Sequence, residues 1–172
     1  MVAGIDRPVA EGVADPDLAS ASAVARGRLH TAWATGQTDR FKAGVMGAGV
    51  SDWGTMVEES DMLTFEAGLG GTVGWESVGP HQHDAVSISG LISFAHRVTT
   101  PVLILHGGND ARVPPSQGRF FAQALRHHGV PNELVVYPRE PHGLQERNHQ
   151  LDGLRRTRAW FDRWIGGMTS NE

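Results

Sequence analysis

The chain has 172 residues, enough for one domain with a real core and short for two. Its hydrophobic fraction of 40% and charged fraction of 20% are those of an ordinary globular protein, and a net charge of -4 without long basic runs argues against a nucleic-acid surface. There are no cysteines, which excludes disulfides and thiolate metal sites; no run reaches the ~18 apolar residues of a membrane span, and nothing at the amino terminus reads as a signal peptide, so the expectation is a cytoplasmic protein.

In chain order, Ala14-Asp15-Pro16-Asp17 reads as a turn entering an element, and Thr31-Ala32-Trp33 opens a helical segment. Between them, residues 18–30 (LASASAVARGRLH) form a soft run of small residues with two arginines. Three near-continuous apolar runs follow: 41–50 (FKAGVMGAGV), 101–107 (PVLILHG) and 132–138 (NELVVYP). Continuous rather than alternating hydrophobicity is the habit of parallel strands covered on both faces. A helix is predicted over 116–128, with Phe120, Phe121, Ala124 and Leu125 on one face and Gly129 at its carboxyl cap. Another is predicted over 149–165, with Leu151, Leu154, Trp160, Phe161 and Trp164 inward and the arginines opposite. Strand and helix in alternation give an α/β layer fold with a parallel sheet.

Residues 52–98 read as an irregular surface excursion, rich in glycine and polar residues. His81-Gln82-His83-Asp84 within it lacks a third metal ligand at a fitting spacing and reads as a solvated loop. His30, His127 and His128 read as surface residues. His149, Arg155, Arg156 and Arg158 read as the wet face of the last helix. His106 reads as support for the loop that follows it. The five tryptophans read as packing residues, with Trp53 and Trp75 the best placed to line a cleft.

Two of the strands run into sequence that can carry chemistry. The run 101–107 continues into Gly108-Asn109-Asp110, and the run 132–138 into Arg139-Glu140-Pro141-His142-Gly143. In open parallel sheets, ligands and catalytic groups gather at the carboxyl ends of the strands. A carboxylate there can accept from one imidazole nitrogen and fix the tautomer, leaving the other nitrogen to take a proton from a nucleophile. The plainer alternative is that Asp110 only caps the helix after it.

The strings LHGGNDARVPPSQGRFFAQAL and GVPNELVVYPREPHGL, with a closing AWFDRW helix, closely resemble the catalytic domain of the prolyl oligopeptidase family of serine peptidases. The likeness is strongest to its acylaminoacyl-peptidase and dipeptidyl-peptidase branch, and it also covers GVADPD, TAW and QTDRFKAGVMGAGVSDWGTM. The resemblance implies an α/β-hydrolase fold with a Ser-Asp-His triad in that order, a peptide substrate, and neither metal nor organic cofactor. It makes Asp110 the acid and His142 the base. It also implies that residues 1–172 form a single truncated domain: about three parallel strands flanked by helices, without the earlier part of the domain, its oxyanion-hole loop or the family's β-propeller. A sheet cut in this way leaves an apolar edge unpaired, so homo-oligomerisation or aggregation is expected.

The nucleophile does not follow the family. Its serine stands in a Gly-Trp-Ser-Tyr-Gly-Gly elbow between the ADPD turn and TAW, and counting from either side places that position on Ala25. The surroundings are Ala23-Val24-Ala25-Arg26-Gly27-Arg28, where only Gly27 agrees. Alanine has no oxygen with which to attack a carbonyl, and Arg28 replaces a glycine that lets helix and strand pack closely. Ser20 and Ser22 lie too early and Ser51 follows a different strand, so none is placed to substitute.

The odd stretch reads as an out-of-phase version of the family motif. In GC-rich codons, Arg-Leu-Gly-Val-Gly-Gly shifted by one base gives Ala-Ser-Ala-Ser-Ala and a sixth residue that can be Val; Gly-Tyr-Met in another phase can give Arg-Leu-His. The expectation is therefore a peptidase catalytic-domain fragment, inactive as written. A non-catalytic remnant or interaction module, and a carboxylesterase on the same fold, are the alternatives.

Overall fold

The structure, a computed structural model, describes residues 3–13, 23–25, 30–65 and 91–165. Its elements in order are α1 (Ala3–Ala10), β1 (Ala23–Ala25), α2 (His30–Gln37), β2 (Gly44–Gly47), α3 (Trp53–Glu59), a 3-10 segment (Leu91–Arg97), β3 (Val102–Gly107), α4 (Pro115–His127), β4 (Asn132–Tyr137) and α5 (Arg147–Trp164). The four strands form one parallel sheet in the order β1-β2-β3-β4. Val102 to Gly107 of β3 pair in step with Asn132 to Tyr137 of β4, so the two strands end level with each other.

Alternation along β3 explains its unbroken hydrophobicity. Val102 and Ile104 face one side, packing with Met46, Val98 and the α4 residues Phe121, Ala122 and Leu125. Leu103 faces the other side with Ala43, Val45 and Trp160 of α5, and Leu105 is half-buried there. A strand sandwiched between helices has no wet face, so period-2 patterning disappears. A third, smaller cluster of Val50, Trp53, Met56, Val57 and Val113 sits around α3 and the loop after β3.

The sheet has four described strands rather than three, the addition being β1 at its outer side. The predicted strand 41–50 contracts to Gly44–Gly47 because Ala48 leaves it in the left-handed region, at φ +43. The predicted helix 116–128 is Pro115–His127, and Gly129 follows the cap rather than forming it. At φ +71, Gly129 donates to the Arg126 carbonyl while Val130 N–H donates to that of Leu125, and Val130 and Leu125 share one core cluster. That is the two-bond glycine ending of a helix. The buried stripe of α4 is Gln117, Gly118, Phe121, Ala122 and Leu125, with Phe120 and Ala124 only half-buried on its flank.

Two expectations fail more clearly. Within the supposed irregular excursion, α3 forms where Asp52 caps the Gly54 amide at 3.0 Å. On α5, Leu151 and Leu154 are 41% and 68% exposed, not inward. Gly153 and Trp160 take the buried side instead, because a helix turns about 100° per residue and Trp160 fixes which side meets the sheet. Residues 66–90, with Trp75 and the His81–Asp84 run, lie outside the described residues, as do Ser20 and Ser22. Among the described residues no helix is long and apolar enough to cross a membrane.

Candidate active site

The level ends of β3 and β4 bring their two loops together. Gly108 N–H donates to the Tyr137 carbonyl at 2.7 Å, and Asn109 N–H to the Glu140 carbonyl at 2.9 Å. The loops touch so closely at Gly107 that a β-carbon there would run into the carbonyl oxygens of Pro141 and Glu140. A residue without a side chain is required at that point, whatever the backbone angles.

Asp110 lies at this seam, 3% exposed. Its Oδ1 accepts from the Arg112 and Val113 amides at 3.0 and 2.9 Å, which fixes the carboxylate against its own loop. Its Oδ2 accepts from His142 Nδ1–H at 2.9 Å. The residue that caps α4 is Pro114, so Asp110 does more than begin a helix. A carboxylate cannot donate, so the proton of that bond is on Nδ1, and a neutral His142 presents an unprotonated Nε2. The His142 side chain is 46% exposed, and among the described residues nothing hydrogen-bonds to its Nε2. Such an arrangement can serve as a base whose tautomer is fixed from behind.

His106, next to last in β3, donates from Nε2 to the Val113 carbonyl at 2.8 Å and stands 3.6 Å from Asp110 Oδ2. Burial lowers its pKa against the pull of the Val113 carbonyl and Asp110. It does support the Asp110 loop, as its position in the sequence indicated.

The loop carrying His142 is held by a residue to which sequence reading assigned no role. Glu140 is 1% exposed and accepts from the Gln145 and Glu146 amides at 2.6 and 2.9 Å and from His149 Nδ1–H at 2.7 Å. Glu146 is the cap residue of α5 but makes no capping bond with its own side chain, so Glu140 supplies that function from six residues upstream. Burial alone would raise the Glu140 pKa; the bonds from Gln145, His149 and Glu146 outweigh it and hold the carboxyl below its usual range. His149 therefore belongs to this buried junction and not to a wet helix face, its side chain being 19% exposed.

Among the described residues, one acid–histidine group has metal-like spacing: a ligand atom each from Glu140, Glu146 and His149 lies within 4.8 Å of the others. All are already engaged with one another or, for Glu146, with Arg139 at 2.8 and 2.9 Å. Nearby, Tyr137 donates to Asp152 at 2.9 Å; its burial and that bond push the phenol up to about 12. Arg156 bridges Asp152 and Glu133, tying α5 to β4. Arg155 and Arg158 are exposed as expected.

The other singled-out residues stand apart from the pair. Ser51 is fully buried, its hydroxyl donating to the Gln117 carbonyl at 2.7 Å. Trp53 is buried with Val113, whereas Trp33 is 42% exposed. His127 and His128 are exposed and meet edge to face, with His96 against His128. Ala25 is the last residue of β1, its backbone paired with Met46.

The sequence profile of the prolyl oligopeptidase family matches residues 1–168. The chain belongs to that family. Over 156 residues it is 30% identical to the uncharacterized peptidase YuxL of Bacillus subtilis, covering 88% of this chain and 23% of that protein. Over another 156 it is 28% identical to dipeptidyl-peptidase 5 of Porphyromonas endodontalis, covering 90% and 22%. The solved acylaminoacyl peptidase of Pyrococcus horikoshii superposes with a TM-score of 0.78 at 24% identity, covering 97% of this chain and 27% of the other, a likeness that carries the fold. The α/β-hydrolase architecture expected from the sequence is thus the family's own. The chain spans less than a quarter of the length of these two curated relatives.

Proposed function

We propose that this chain is part of a peptidase catalytic domain that keeps the acid and base of a serine-hydrolase triad and lacks its nucleophile. The observation that carries this reading is the bond from His142 Nδ1–H to an Asp110 carboxylate held on its far side by two amides. In a complete triad, Nε2 takes the proton of a serine hydroxyl as its oxygen attacks a peptide carbonyl. Nε2 then returns that proton to the departing amine, while the carboxylate stabilises the imidazolium between the two steps. Ala25, at the nucleophile position by sequence register, offers a methyl group, and a methyl group has no proton to yield and no lone pair to attack with. Peptide hydrolysis is the chemistry of the lineage, and this chain is silent in it.

A fluorophosphonate probe tests the reading directly. The 172-residue chain is expected to show no covalent labelling, and labelling at any residue would contradict it. Ala25→Ser alone is expected to stay unlabelled as well, because Arg28 remains where the elbow needs a glycine.

The stretch 18–30 is proposed to be a frame-displaced copy of the family motif. Reading its coding DNA in three phases decides between two histories. A shifted frame spelling Gly-x-Ser-x-Gly-Gly supports the displaced copy; its absence makes Ala25 a true replacement in a non-catalytic remnant.

A further inference from the structure

β3 places Val102, Ile104 and His106 in a row, since alternate residues share a face. The first two are fully buried against α4, and so is the third, at 1% exposure. A histidine is an expensive third member of an apolar row. Among the described residues its Nδ1 is buried without a hydrogen-bond partner, a loss that costs stability and calls for an explanation. Gly118 of α4 lies directly over the ring: a β-carbon there would come within 2.9 Å of Nδ1 and 3.3 Å of the Ile104 side chain. The ring is clamped between the helix and the loop after β3.

We propose that His106 is a positioning residue for the Asp110–His142 pair, its Nε2–H fixing the plane of the carboxylate and thereby which nitrogen of His142 carries the proton. This rests on reading Asp110 and His142 as acid and base. The Val113 carbonyl can only accept, so the His106 proton is on Nε2, and Nδ1, without a partner among the described residues, is bare. Burial favours the same neutral form, and the charged or titratable groups acting on it are Asp110, His142 and Arg119. Val113 is held at both ends of its peptide link to the site: its amide donates to Asp110 Oδ1, and its carbonyl is taken by His106. Moving His106 therefore moves the turn that orients Oδ1. His106 Nε2 also stands 3.6 Å from Oδ2, the oxygen that His142 uses, too far for a hydrogen bond, so the Val113 turn is the link between them.

The test reads His142, not catalysis, so it works in a silent chain. Nitrogen-15 shifts of the imidazole rings in the full 172-residue protein report which nitrogen is protonated. Wild type is expected to show His142 as the fixed Nδ1–H tautomer. His106→Phe should lose that signature, leaving the interconverting tautomers of a free imidazole, and His106→Gln, which keeps an N–H donor, should recover part of it. Should His106→Phe fail to fold, Gly118→Ala serves: its methyl displaces the ring without deleting any polar group, and the His106 and His142 resonances should move together. If His142 keeps its fixed tautomer in His106→Phe, or stays unmoved while His106 shifts in Gly118→Ala, His106 is packing alone and the proposal falls. A wild-type His142 without a fixed Nδ1–H overturns the pair and this role together, an outcome distinct from fluorophosphonate labelling, which overturns only the absence of a nucleophile.

Discussion

Gly107→Ala is expected to destabilise the protein by about 3 kcal/mol and to part Asp110 from His142. The added methyl would overlap the Pro141 carbonyl oxygen and lie 2.5 Å from that of Glu140. Both obstacles are backbone, so no side-chain rotation relieves them. The loop after β4 has to move off the end of β3, straining the Gly108–Tyr137 and Asn109–Glu140 bonds that align the two loops. Urea unfolding measures the loss and the His142 ring resonances measure the separation. Gly47→Ala is the control, because a β-carbon there meets nothing within 4 Å. Equal midpoints for the two variants would show that the seam between the loops is soft.

The second large effect is expected at Glu140. Glu140→Gln keeps the shape but turns an amide N–H toward donors that need an acceptor: the Gln145 and Glu146 amides and His149. The start of α5 loses its cap and the loop holding His142 loses its anchor. A fall in Tm on the order of 10 °C is expected near neutral pH. The pH dependence has a definite sign. A carboxyl whose pKa is lower in the folded state than its unfolded value of about 4.5 contributes stability that is fully present above that value. The contribution is lost as pH falls through the folded value. The difference between wild type and Glu140→Gln should therefore be constant above about pH 5 and shrink below it. A difference that grew on acidification would mean that Glu140 is protonated in the folded protein.

The sheet was legible because apolar runs bounded by turns are a strong signal, and β3 and β4 match their predicted spans within a residue or two. Asp110 and His142 were legible because each stands just after such a run. What escaped were interactions whose partners are chosen by the fold. Leu151 and Leu154 fit a helical stripe as well as Gly153 does, and only the seating of Trp160 on the sheet decides between them. Gln117 is polar and lies in the middle of α4, yet it is fully buried, taking the Ser51 and Asp52 amides at 2.9 Å each and donating to Thr55. Glu140 sits inside the very motif that flagged His142, but one sequence does not say that a glutamate will be buried at the foot of a helix beginning six residues later. Asp52 was the missed signal that was available: an aspartate ahead of Trp53 is an ordinary helix start.

Because β3 and β4 are consecutive both along the chain and across the sheet, Asp110 and His142 meet by closing a contour of only 32 residues. Closure over so short a separation is entropically mild, and such contacts form early in folding. Ala25 belongs to β1, and anything offered from there reaches the pair only across β2. A change that parts the loops after β3 and β4 is therefore expected to slow folding as well as to separate the pair.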